Sequence, residues 1–169
     1  VRSFLDGIDV EFFEYTLQTH LQTEDEKRAL VAIRLSLHHA METMFSLLGA
    51  FIQAPDCPHA WIAKCSNGEL REFTARVNRR DPRLISKLNI PLVSWHSVGT
   101  AVFATYRPGT ERQPSTVERF ANLWTALTGE LNNPAYVDEY NALKHGFRVR
   151  PGGFTLVAGV EQEYGVPPP

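Results

Sequence analysis

The densest set of side chains able to do chemistry lies in one run near the C-terminus, Tyr140-Asn141-Ala142-Leu143-Lys144-His145-Gly146-Phe147-Arg148-Val149-Arg150. On a helix, Asn141, Lys144 and His145 fall within one turn. Arg148 and Arg150 follow just past Gly146. Lysine and arginine offer charge to a phosphate, asparagine offers a hydrogen bond, and an imidazole serves as general acid or base near neutral pH. Cleavage of RNA by its own 2′-hydroxyl uses those parts. A base takes the hydroxyl proton, cations stabilise the crowded phosphate, and an acid protonates the leaving oxygen. A structural role competes with this one, because cations in a last helical turn also favour the helix dipole and cap free carbonyls.

Two other groups offer weaker chemistry. His38, His39, His96 and His145 sit in helical sequence, and with Glu42 they define a metal-binding alternative inside a bundle. The spacing speaks against it. His39 points away from the apolar stripe of its helix, and His38 lies on the flank beside Arg34 and Glu42, where a His38–Glu42 pair reads as a surface or subunit contact. No HExxH or paired Glu-x-x-His occurs. Cys57-Pro58-His59 and Cys65 place thiols and an imidazole in one stretch, but zinc needs four ligands with paired spacing. No metal and no cofactor is therefore assigned. Glycine-rich phosphate loops, nucleophile elbows and kinase motifs are all missing, which removes the nucleotide-binding and hydrolase classes that carry them.

The run Tyr140-Asn141-Ala142-Leu143-Lys144-His145 resembles the signature of the HEPN superfamily, Arg-Asn-x-x-x-His in its best-known form. Asn141 and His145 match, and Tyr140 stands where the family has arginine. The resemblance implies a small α-helical bundle, often dimeric. It also implies a metal-independent ribonuclease or RNA-binding protein of a bacterial toxin–antitoxin or defence system. In that reading His145 is the acid or base, Asn141 positions it, and Lys144, Arg148, Arg150 and Tyr140 meet the substrate. The family's arginine contacts the scissile phosphate, so at position 140 the contact must come from elsewhere, Lys144 or Arg148 being candidates.

The elements that would position this run are helices. Thr23-Glu24-Asp25-Glu26 reads as a capping box, and Leu30, Ile33, Leu37, Met41, Met44, Leu48 and Phe51 then recur at spacings of three and four, to about Gln53. Ser66–Glu69 is a second capping box, opening a helix with Leu70, Phe73 and Val77 on its apolar face and Asp81-Pro82 as its stop. Pro91 suits the first position of a third helix whose face is Leu92, Trp95, Gly99, Val102 and Tyr106. Ser115–Glu118 is a third capping box, and Val117, Phe120, Trp124, Leu127 and Leu131 form a tight packing seam. Asn133-Pro134 opens the last helix, with Tyr136, Tyr140 and Leu143 on its apolar face and Gly146 as its terminator. Residues 1–20 are ambiguous, with Phe12, Phe13 and Leu17 fitting a helix. After Gly152-Gly153, two β-prone runs around Gly159 suit a hairpin.

The expected fold is thus all-α: a bundle of five or six helices over residues 1–150, then a small C-terminal β-hairpin and proline-rich tail over 151–169. With 169 residues and 43% apolar composition, the chain has enough material for one globular core. A net charge of −2 gives no global field for nucleic acid or lipid. Locally, residues 1–26 carry seven acids and one base, while 64–87 carry seven bases and three acids. These read as solvated faces or as an intramolecular match. No signal peptide or membrane span is visible, and two cysteines are too few for a disulfide framework, so a soluble cytoplasmic protein is expected. Val1 and the terminal Pro167-Pro168-Pro169 leave room for a fragment with a linker. Besides RNA or a nucleotide, a second copy is an expected partner. A non-catalytic dimerising module, built on the 117–131 seam or on the long helix, is the alternative to the enzyme.

Overall fold

The longest run of helix-forming residues sets the frame. In the computed structural model, which describes residues 1–105 and 111–144, this run is α3, Glu26–Gln53. At 1.5 Å per residue its 28 residues extend about 42 Å. Its cap is Asp25, whose side chain accepts from the Arg28 backbone N–H at 3.1 Å, so the expected Thr23 box does not form. Aspartate wins because it brings a full negative charge to the helix N-terminus. Two helices precede it: α1, Arg2–Asp6, and α2, Glu11–Leu21, which lies against α3. The ambiguous N-terminus is therefore helical. Its ambiguity has a physical source, since α1 and α2 contain no buried residue.

The remaining helices pack along α3 from Arg34 to its C-terminal end. They are α4 (Pro58–Lys64), α5 (Asn67–Asn78), α6 (Trp95–Val102), α7 (Gln113–Leu131) and α8 (Pro134–Lys144). The described residues form eight helices and no strand, rather than five or six helices. The expected hairpin at 151–169 lies outside the described residues. The Ser66–Glu69 box forms as expected, with Glu69 reaching back to the Ser66 N–H at 2.8 Å. Helix α6 starts at Ser94, not Pro91, because Ser94 and Ser97 make their own reciprocal cap. Helix α7 begins at Gln113, two residues before the expected Ser115 box, with proline in its first turn. Asn133 opens α8, its side chain accepting from the Ala135 N–H at 3.0 Å. The 79–94 connection is pinned to the end of α3 by Lys87 N–H to Ile52 C=O at 2.7 Å and by the Gln53 amide to Ile85 C=O at 3.1 Å.

The core lies where α3, α5, α6 and α7 meet. Met41, Phe45, Leu48 and Ile52 pack against Leu70, Phe73, Val77, Val98 and Ala121. An aromatic chain runs through it, with Phe45 to Trp95 centroids at 5.5 Å and Trp95 to Trp124 at 5.9 Å. One polar group ties three helices inside this layer. The Asn78 side chain at the end of α5 accepts from Trp95 Nε1 of α6 at 2.6 Å and bonds Thr128 Oγ1 of α7 at 3.0 Å. Two close approaches need glycine: Gly49 of α3 sits under the Trp61 ring of α4, and Gly99 of α6 lies against Val117 of α7. The predicted stripe of α3 is divided. Met41 and Leu48 are buried, but Leu30 and Leu37 face outward.

Candidate functional site

The C-terminal run is anchored through Tyr140. Helix α8 lies along α3, and its packing places Tyr140 inside, only 6% exposed. The phenol donates to Glu42 Oε2 of α3 at 2.9 Å, and Asn67 of α5 donates to Glu42 Oε1 at 2.6 Å. The His38 ring stacks on the Tyr140 ring at 4.8 Å and 22°. Burial, reinforced by the Glu42 carboxylate, pushes the Tyr140 hydroxyl above its ordinary range, so it remains a neutral donor. One turn earlier Arg34 of α3 reaches Glu139 with two bonds, 2.8 and 3.1 Å, and lies over the Tyr136 ring at 4.5 Å. Three successive residues of one α3 face, at 34, 38 and 42, thus hold α8 by charge, stacking and hydrogen bonding.

Of the six residues expected to form the site, three lie among the described residues. Tyr140 is a buried anchor. Asn141 and Lys144 are exposed on the last described turn of α8, and the Lys144 ammonium lies 5.7 Å from the Tyr140 ring centroid. His145, Arg148, Arg150 and the expected terminator Gly146 lie outside the described residues. The structure adds His39. It is exposed on α3, and its ring meets the edge of Tyr140 at 5.9 Å, which brings a second imidazole to the end of α8. The α3 pattern turned His39 away from the core stripe and so hid it, because the pattern carries no information about where α8 lands.

His38 corrects a reading. It is not a surface partner of Glu42 but a buried side chain, 4% exposed, whose Nε2 has no hydrogen-bond partner. Burial and the nearby Arg34 charge push its pKa down, so the ring is neutral near pH 7. The metal-binding set does not assemble from what is described: His38 is stacked inside, His96 is exposed on α6, and no three His, Cys, Asp or Glu side chains among the described residues converge. Cys57 and Cys65 are both free, with Cys57 Sγ 3.6 Å from His59 Nε2. Among the described residues, no ion pair links the acidic 1–26 stretch to the basic 64–87 stretch. Arg76 and Arg79 pair instead with Glu72, and Arg83 with Asp81. Local pairs form at less entropic cost than pairs across the molecule.

One basic residue of that stretch does reach α8. Arg71 of α5 lines an open groove of about 440 Å³ between α5 and α8, together with Val137 and Asp138. Arg71 and Val137 also share a small crevice with His38, Glu42 and Tyr140. No helix among the described residues is long and apolar enough to cross a membrane. No protein-family model matches the chain, and neither a curated protein nor a solved structure shows significant similarity to it.

Proposed function

We propose that the chain is a HEPN-like helical protein that binds RNA or a nucleotide at the C-terminal end of α8, and that His145 gives it metal-independent ribonuclease activity. The observation that carries this reading is the company kept by Tyr140. Exposed Asn141, Lys144 and His39 gather around a ring locked to α3, so the residues that meet solvent rest on a fixed support. Asn141 positions, Lys144 with Arg148 and Arg150 holds phosphate, and His145 moves the proton. The test is cleavage of a mixed RNA pool by the purified protein in EDTA, beside His145→Ala. Cleavage by the parent alone supports the assignment. Equal activity in both removes His145 from it, and no cleavage by either removes the nuclease.

A second reading has its own observation. Helices α1 and α2 bury none of their residues, and Phe12, Tyr15, Leu21 and Leu30 of α2 and α3 are exposed apolar side chains. Apolar side chains left exposed in this number favour pairing with a second copy of the chain. The 117–131 seam is not available for that purpose, because Val117, Trp124 and Leu131 are buried within the chain itself.

A further inference from the structure

Tyr140 points inward, so it leaves unanswered which cation meets a phosphate beside Asn141. The α5–α8 groove offers one. Leu70, Phe73 and Val77 turn α5 toward the core, and Arg71, one residue along from Leu70, is thereby swung toward α8. Its guanidinium has no ion pair or hydrogen bond among the described residues. That sets it apart from Arg34, Arg76, Arg79 and Arg83, each of which is paired. The acids around it are mostly engaged. Glu72 faces Arg76 and Arg79, and both oxygens of Glu42 accept bonds from Asn67 and Tyr140. Asp138, on the opposite wall, is the unpaired acid of the groove among the described residues.

Two further observations place this arginine at the same site. On α8 the groove wall is Pro134, Val137 and Asp138, and the next residue on that face, at spacings of three and four, is Asn141. The groove therefore leads to the proposed site. Behind Arg71, the buried and unpartnered Nε2 of His38 belongs to the crevice that Arg71 and Val137 share. A buried polar atom without a partner is costly, and His38 shares that small crevice with Arg71.

We infer that Arg71 supplies the phosphate contact that Tyr140 cannot, holding one phosphate of an RNA or nucleotide whose chain then runs along α8 to Asn141 and Lys144. The inference rests on the phosphate-ligand reading above. Guanidinium is suited to the task because its planar fork takes two phosphate oxygens at once, which a lysine cannot do. Asp138, on the opposite wall, carries the same sign of charge as the phosphate and weakens its binding.

The experiment is fluorescence anisotropy of a labelled oligoribonucleotide against the parent, Arg71→Gln, Arg71→Lys, Asp138→Asn and Lys144→Ala. Unlabelled AMP and inorganic phosphate serve as competitors. Arg71→Gln is expected to weaken binding about ten- to hundredfold and to lower the slope of log affinity against log salt by about 0.7, the value for one contact to a single strand. Arg71→Lys should recover part of the affinity but not all, and Asp138→Asn should tighten it. AMP competition marks a nucleotide site, phosphate competition marks recognition of the anion alone, and competition by neither marks a site that needs the longer strand. Because Arg71 has no partner, its variants should melt as the parent does, which separates binding from folding. Unchanged affinity and salt slope in Arg71→Gln, with Lys144→Ala still weakened, would overturn the role of Arg71 and leave the α8 site standing. No binding of RNA or AMP by the parent would overturn both.

Discussion

At the scale of single residues, the Tyr140–Glu42–Asn67 contact and the His38 ring decide how α8 sits. Tyr140→Phe removes a hydrogen bond to a carboxylate while keeping the ring stack. It is expected to cost about 1.5–3 kcal/mol in urea denaturation, with the fold retained. His38 carries a pH dependence whose sign follows from its lowered pKa. The unfolded chain takes up the proton near the ordinary value of 6.5, and the folded chain only at lower pH. Stability contributed by the neutral ring is therefore complete above about pH 6.5 and is lost as the pH falls below it. Urea midpoints at pH 7.5 and 5.5 should drop for the parent and drop less for His38→Phe. An equal drop in both would remove His38 as the source. Arg34, Glu139, Glu130 and His39 all act on this ring, and the two glutamates partly offset the arginine.

At the scale of elements, the sharpest expectation concerns α3 against α4. A methyl group on Gly49 would fall within 2.9 Å of Trp61 Cζ2, in a ring held by its bond to Gln53 and by the edge of Phe73. Gly49→Ala should therefore destabilise by about 1–3 kcal/mol despite its better helix propensity, measurable as a lowered melting temperature. Much of this layer was legible in the sequence. The Ser66–Glu69 cap, the Asn133-Pro134 start and the Leu70, Phe73, Val77 face all follow from local chemistry, and local chemistry decided them. Three starts were misplaced. At Asp25, Ser94 and Arg112 several capping residues or prolines stand close together, and the pattern does not say which one tertiary contacts will select. The site shows the same division. Asn141 and Lys144 were visible as a one-turn cluster. The apolar face that turns Tyr140 inward was visible too, but His39, Arg71 and the Glu42 partner of Tyr140 were not, because each depends on which helix packs beside which.

At the scale of the whole molecule, the two halves of α3 differ. The C-terminal half is enclosed on several sides, while the N-terminal half meets α2 and, from Arg34 onward, α8. If the exposed face of α2 and the start of α3 pairs with a second copy, sedimentation should find a dimer at micromolar concentration, and Leu21→Glu with Leu30→Glu should return it to monomer. A parent that stays monomeric at higher concentration would dismiss the dimer. The arrangement around Tyr140 uses other residues, Arg34, His38 and Glu42, so RNA binding and self-association should respond to different substitutions.

The absence of buried residues in α1 and α2 has a further consequence, for how the chain would meet a protease. The first 25 residues carry no buried side chain of α1 or α2 into the core, so comparatively little opposes their release from α3. Brief digestion should cut there first and slow at Asp25, where the cap and the hydrogen-bonded backbone of α3 begin. Whatever covers that face, a second copy included, would shield the same peptide bonds, so the lifetime of the N-terminal 25 residues under digestion becomes a direct gauge of how much of the protein is paired.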